Sequence, residues 1–599
     1  MNFWKVFGAT LLALFVGTVL SWMVHLFFFA GMLGSVGLGE MPVITPQTIV
    51  KIDFGENILD SPARMPVEAM DLASMNLVQN THLLKVLKGI EAAKKDSNVK
   101  GLYLNFSDVG SVETSALEEI RAAILDFKKS GKFVVAYNES YSHDTYYVAS
   151  AADKVYMHPE GDFSWVGLAN TTLFVKGAFD NLGLNAEAIR PTECKYKNAV
   201  EPFLLTEMSP ENRAQMQLLV DDMWDSLLKK ISESRNIKVD MLKFLANYLE
   251  VTLAEDALKH GFVDGLIYED EMEQKFAEYG VYPSVGNNDY NIVTLNEYLF
   301  VSPPRVNLTA NAVAVVYANG EIVDGEGFDE LVYSSNLVNQ LREIRKDNYI
   351  KAVVLRVNSP GGSALASDVI WREVDLLRKV KPVVVSMGSY AASGGYYISA
   401  NADKIVADEL TLTGSIGVFG LLVEGKNMFN EKLGITTDEV KTSPSADFNE
   451  NLLGVSTRKI TDDERKVLLR AVDKVYDSFL SKVSDGRSID KEALSEIAQG
   501  RIWSGSRAKE LGLVDEIGGI LDAISIAADL AGIPQNSSVV EFLEKPIPIE
   551  EIMMSLGAPI GVTMLDKDLG EAMKLYKSIR RECSREGVQA FCPYTFGIN

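Results

Sequence analysis

The feature that most restricts this chain is that it carries one order of segments twice. Ile49-Val-Lys-Ile-Asp-Phe-Gly-Glu-Asn-Ile-Leu-Asp60 parallels Val313-Ala-Val-Val-Tyr-Ala-Asn-Gly-Glu-Ile-Val-Asp324. Gly101-Leu-Tyr-Leu-Asn-Phe106 parallels Ala352-Val-Val-Leu-Arg-Val357, and Tyr146-Tyr-Val-Ala-Ser-Ala-Ala-Asp-Lys-Val155 parallels Tyr396-Tyr-Ile-Ser-Ala-Asn-Ala-Asp-Lys-Ile405. The match continues through Arg213 to Arg235 against Arg465 to Arg487, and through Gly261-Phe-Val-Asp264 against Gly512-Leu-Val-Asp515. In each half, short apolar strands alternate with amphipathic helices, which predicts an α/β fold with parallel sheets. Helix starts are signalled by Ser209-Pro-Glu-Asn212 and by Thr461-Asp-Asp-Glu464, a capping-box pattern. Two tandem domains are therefore expected, over 47–290 and 305–599, with a C-terminal tail from about 537. The divide falls where Asn, Ser and Pro gather between Asn287 and Pro304. Leu468, Val472, Val475 and Phe479, at helical spacing, read as core.

Ahead of the repeat, in residues 1–46, Val6 through Phe29 carry no charged side chain, which is long enough to cross a bilayer as a helix over about 6–29. A cleaved signal peptide has a shorter apolar region, so an uncleaved single-pass anchor is expected. Lys5 alone precedes it, which puts the N-terminus inside and the domains on the extracytoplasmic side of the membrane. The net charge of −24 and the lack of any sustained basic run argue against nucleic acid as a partner. Cys194, Cys583 and Cys592 make no disulfide framework and no zinc pattern; a Cys583–Cys592 pair is left open. All five histidines lie before position 300.

If two halves share a fold, positions used in chemistry can survive in one alone. Aligning the paired tyrosines sets His143 opposite Ser393 and Asp144-Thr145 opposite Gly394-Gly395. Ser393 follows the strand Pro382-Val-Val-Val-Ser386 and a run of small residues read as a tight turn, and precedes a helix start. A helix N-cap is its simplest explanation. Asn358-Ser-Pro-Gly-Gly362 likewise faces Ser107-Asp-Val-Gly-Ser111, so the double glycine belongs to the second half only. Both turns follow parallel strands and would meet at the carboxyl edge of one sheet, where α/β folds place ligands. Backbone N–H groups of Gly361-Gly362 and of Gly394 could there converge on one oxygen, as an acyl-transfer transition state requires.

A serine nucleophile needs a base, and the second half holds no histidine to serve. A lysine can act if burial disfavours its ammonium form. Glu193-Cys-Lys-Tyr-Lys-Asn-Ala-Val-Glu-Pro-Phe203 faces Glu439-Val-Lys-Thr-Ser-Pro-Ser-Ala-Asp-Phe448, which sets Lys197 opposite Thr442. Lys195, two residues away, and Lys441, one residue out of register, are rival candidates.

With Tyr196-Lys-Asn-Ala-Val-Glu-Pro-Phe203, Asn358-Ser-Pro-Gly-Gly-Ser363, Ala391-Ala-Ser-Gly-Gly-Tyr-Tyr397 and Leu412-Thr-Gly-Ser-Ile-Gly-Val418, the chain resembles the long-form signal peptide peptidases, or protease IV, of the Clp protease and crotonase-like fold group. The resemblance spans nearly the whole chain. It implies a serine endopeptidase with Ser393 as nucleophile, Lys197 as general base from the other domain, and Gly361, Gly362 and Gly394 as oxyanion hole. Ser415 is implied to lie near the lysine and hold it. Implied substrates are released signal peptides and other membrane-associated or unfolded polypeptides; a homotetramer is implied, and no metal or cofactor. Two other classes compete: a silent membrane scaffold, and an acyl-CoA enzyme of the crotonase type. The anchor and Ser393 argue against the second.

Overall fold

The computed structural model describes residues 43–543, apart from Glu56, 63–69, 72–75, 78–79, 108–111, 113, 284–288, 304–306, 328–329 and 453, together with 588–591. The expected anchor over 6–29, and Cys583 and Cys592, lie outside the described residues. Among the described residues, no helix is long and apolar enough to cross a membrane.

Two α/β units with parallel sheets follow one another, as the repeat predicts. The first sheet runs, edge to edge, Gly265–Leu266, Lys154–Met157, Phe133–Asn138, Val99–Asn105, Thr48–Asp53 and Ile292–Thr294, every neighbour parallel. The second repeats that order with Glu516–Ile517, Lys404–Ala407, Val383–Ala392, Ile350–Ser359, Asn307–Asn319 and Ser537–Phe542. The first unit runs past the boundary expected at 290. Ile292–Thr294 closes its sheet, and the helix Leu295–Val301 packs on it. Only three residues long, that strand is hidden among the polar residues that read as a linker.

The second sheet is buried on both faces, which explains its continuous β-branched runs. Val313, Val315 and Tyr317 point into a core shared with Leu104, Phe106 and Leu117 of the first half. Ala314, Val316 and Ala318 point into a second core with Leu355, Val385 and Ile398. Alternation along one strand thus ties the two halves together.

Two further elements depart from the sequence reading: Ser537–Phe542, expected to begin the tail, is the edge strand of the second sheet, and the strand after Pro382 is longer than expected. The strand after Pro382 does not stop at Ser386 but continues to Ala392. Gly388 and its small neighbours signal a turn locally. Pairing overrides that signal: Ala391 sits between Ser359 on one side and Thr413 on the other. The counterpart in the first half, Phe133–Asn138, has no such extension. The added length carries Ser393 to a rim that the first unit lacks.

Candidate active site

Ser393 joins the extended strand to the helix Gly394–Ser399 at φ 56°, ψ −112°, a conformation that costs a non-glycine residue about 1–3 kcal/mol. Its N–H is spent on Gly414 O at 2.8 Å, which closes the sheet around it. It stands at the N-cap position, yet its side chain caps nothing. In the first half the corresponding helix, His143–Ala149, is capped conventionally by Ser142 with Thr145. His143, opposite Ser393, is buried against Trp165 and Trp224, with Nε2 2.6 Å from Val166 O.

The Ser393 side chain meets the lysine from the other half. Lys197 Nζ lies 2.6 Å from Ser393 Oγ, and both residues are almost fully buried. The same Nζ donates to Ser415 Oγ at 3.0 Å and to Ser415 O at 3.1 Å. Ser415 Oγ in turn reaches Gly500 O at 3.4 Å. Gly417 O lies 3.5 Å from Ser393 Oγ. Lys195 is exposed, and Lys441 is paired with Asp447 at 2.7 Å and Glu439 at 2.5 Å. Of the three candidate lysines, only Lys197 is brought to the serine.

Its arrival depends on a strand exchanged between the units. Asn185–Ile189 of the first half pairs antiparallel with Gly420–Glu424 of the second, in the register Ile189 to Gly420 and Asn185 to Glu424. That ladder delivers the following loop to the rim. Tyr196 N then donates to Gln499 O at 3.0 Å. Beyond the lysine, buried Glu201 accepts from Ser209 Oγ at 2.5 Å, Ser209 N at 3.2 Å and Asn212 Nδ2 at 2.8 Å. The loop is thereby tied to the start of the helix Pro210–Arg235, where a carboxylate is also favoured by the helix dipole.

The glycine turn reaches the same place. Gly361 has φ 102°, and a methyl group built on it would fall 2.6 Å from Gly394 N. Its own N–H is engaged by Ser359 Oγ at 3.2 Å, so that amide is held within its turn. Cys194, close to the lysine loop, is a packing residue: burial pushes its thiol up to about 11, away from the reactive thiolate.

Sequence reasoning passed over Gly500 and Glu201. Gly500, at φ 80°, lets the Lys197 backbone pass so closely that a methyl group there would lie 2.5 Å from Lys197 Cβ. Its signal was available in the comparison of halves. Leu249 and Gln499 share a left-handed backbone, at φ 54° and 55°, and are followed by Glu250 in one half and Gly500 in the other. Glu201 carried no signal beyond its place in the Tyr196–Phe203 motif.

Peptidase family S49 matches residues 126–280 and 375–534. Protease 4 of Haemophilus influenzae is 36% identical over 76% of this chain and 74% of that protein. Protease 4 of Salmonella typhi is 34% identical over 84% of this chain and 81% of that protein. A putative signal peptide peptidase SppA of Enterococcus faecium is 37% identical over 40% of this chain and 67% of that protein. A duplicated α/β fold with a buried serine at the sheet rim, together with these matches, identifies the chain as a serine peptidase belonging to peptidase family S49.

Proposed function

We propose that the protein is a membrane-anchored endopeptidase in which Ser393 is the nucleophile and Lys197 the general base. The observation that carries this reading is the 2.6 Å contact between Lys197 Nζ and Ser393 Oγ, formed between side chains of different halves. As a neutral amine, Lys197 donates N–H groups to Ser415 O and Ser415 Oγ and takes the Ser393 hydroxyl proton on its lone pair. As Ser393 Oγ attacks a peptide carbonyl, its proton passes to Lys197. The resulting ammonium then protonates the leaving amine as the C–N bond breaks, and water hydrolyses the acyl-enzyme by the same route in reverse.

Gly394 N and the Gly362 amide are the proposed oxyanion donors. Gly361 shapes the turn, since its own N–H is engaged by Ser359. Losing one donor of this kind costs about 2.7–4 kcal/mol of barrier. Signal peptides as substrates are supported by the relative named a putative signal peptide peptidase; other membrane-associated or unfolded polypeptides are part of the same proposal. Anchoring by 6–29 with the domains outside the cytoplasm, and assembly as a homotetramer, belong to the same proposal. Protease accessibility in membrane vesicles and light scattering of the detergent-solubilised protein measure them.

The deciding experiment is hydrolysis of an unstructured apolar peptide by the full chain. Ser393→Ala and Lys197→Ala are each expected to lower kcat by at least about a thousandfold with folding intact. Undiminished hydrolysis in both variants would overturn the assignment.

A further inference from the structure

Gln499-Gly-Arg501 runs between the loop that carries Lys197 and the loop that carries Ser415, and its backbone is bonded to both. Gln499 O accepts from Tyr196 N at 3.0 Å, Gly500 N donates to Ile416 O at 2.8 Å, and Arg501 O accepts from Ser415 N at 2.7 Å. The Arg501 side chain adds a contact across the boundary between the halves. Its guanidinium carbon lies between two rings, 4.9 Å from the centre of Tyr196 and 4.3 Å from that of Trp503.

Trp503 is the fixed layer of this stack. It is buried in the strand Ile502–Ser504, which pairs antiparallel with Leu412–Gly414, and its Nε1 donates to Ile497 O at 2.9 Å. Tyr196 is the layer that needs fixing. It is half-buried and directly precedes Lys197, while Thr192, Glu193 and Lys195 upstream are exposed. Among the described residues no carboxylate pairs with Arg501, and its Nε is buried without a hydrogen-bond partner. Stacking is thus the contact its charged group makes there, and a planar guanidinium is suited to lie flat on aromatic faces. The first half has no such stack. The correspondence of Leu249 with Gln499 sets Val251 opposite Arg501 and Leu253 opposite Trp503, so the pair belongs to the half that holds Ser393.

From this arrangement we infer that Arg501 is a positioning residue for the dyad. Its side chain clamps Tyr196, and with it the backbone that aims Lys197 at Ser393. Its carbonyl holds Ser415, which receives the lysine N–H groups. The inference rests on the reading of Lys197 as general base given above. Lys197 Nζ sits at the end of a flexible four-carbon stem, so a small turn of the Tyr196–Lys197 backbone breaks the 2.6 Å contact with Ser393. A displacement of about 1 Å at a reacting group costs about a hundredfold in rate. The stack acts on the base and not on the glycine turn, so its loss falls on kcat and leaves KM in place.

The test is steady-state hydrolysis of one unstructured apolar peptide by the full chain and by Arg501→Met, Tyr196→Leu and the double variant, each first checked for a cooperative melting transition. Each single variant is expected to lose about tenfold to a hundredfold in kcat, with KM changed by less than about twofold. Both break the same stack, so the double variant is expected to lose no more than the larger single loss. Tyr196→Phe, which keeps the ring, is expected to recover most of what Tyr196→Leu loses, whereas Arg501→Lys, which keeps the charge without the plane, recovers little. Unchanged kcat in both single variants, or losses that multiply in the double variant, would overturn the inference. If Arg501→Met lacks a cooperative transition, Tyr196→Leu against Tyr196→Phe decides alone by the same split of kcat from KM. Lys197→Ala in the same assay separates the two readings. Hydrolysis lost in Lys197→Ala but kept in Arg501→Met and Tyr196→Leu overturns only the stack, whereas hydrolysis undiminished in Lys197→Ala overturns the base and this inference with it.

Discussion

At the scale of single residues, the site is built from backbone conformations and hydroxyl partners that leave little freedom. Ser415, itself at φ 48°, holds the lysine by both its carbonyl and its hydroxyl. Ser415→Ala keeps the carbonyl contact and removes the other. One hydrogen bond of about 1–1.5 kcal/mol corresponds to roughly a tenfold loss of kcat with KM little changed, measurable by steady-state kinetics. Asp144 stands in the first half where Gly394 stands in the second. Its Oδ1 has no hydrogen-bond partner, and burial pushes its carboxyl up to about 7. The folded state therefore holds a proton that the unfolded chain releases near pH 4. That contribution to stability is intact below the unfolded value, falls as pH rises, and is lost above about pH 7. Asp144→Asn is expected to stabilise the protein by about 1–3 kcal/mol at pH 8 and by little at pH 4, as read from urea melts.

At the scale of elements, three pieces must agree before Lys197 reaches Ser393: the extended strand Val383–Ala392, the exchanged strand Asn185–Ile189, and the loop between that strand and the helix Pro210–Arg235. Glu201 fixes the last of these by filling its acceptors with Ser209 and Asn212. Glu201→Ala leaves buried donors unpaired. It should cost about 1–3 kcal/mol of stability and also lower kcat through misplacement of the lysine. Glu201→Gln, which retains one acceptor, should recover part of both in melts and kinetics. Motif matching marked Glu201 only as part of a run, because its partners lie in the next helix. The strand extension was illegible for a related reason: Gly388 and its neighbours read as a turn until flanking strands pair with them.

At the scale of the molecule, the two halves share one core and one buried ion cluster. Arg356, fully buried beneath the catalytic strand, donates to Asp60 at 2.5–3.1 Å and to Ser386 Oγ at 2.8 Å, and pairs with Glu119 at 2.8 Å. Asp60 and Glu119 come from the first half. Removing the guanidinium strands two buried carboxylates, so Arg356→Ala is expected to destabilise the whole chain by about 3–5 kcal/mol in a single cooperative unfolding transition. Separate transitions for the two halves, seen by calorimetry, would contradict that coupling. The cluster was invisible in the alignment of halves, where Arg356 faces Asn105, because its meaning depends on which half packs against which face.

What the sequence determined alone was everything carried by local pattern and repetition: the α/β class, the duplication, the capped helices, and the serine and double glycine found in one half only. Period and composition are properties of neighbouring residues, so they survive in a linear string. The tertiary structure decided what depends on distant segments meeting. It placed Lys197 rather than Lys195 or Lys441 against the serine, by way of the exchanged strand. It committed the Gly361 amide to Ser359. It also set Arg501 between Tyr196 and Trp503, a stack that forms only because rings from the two halves meet there.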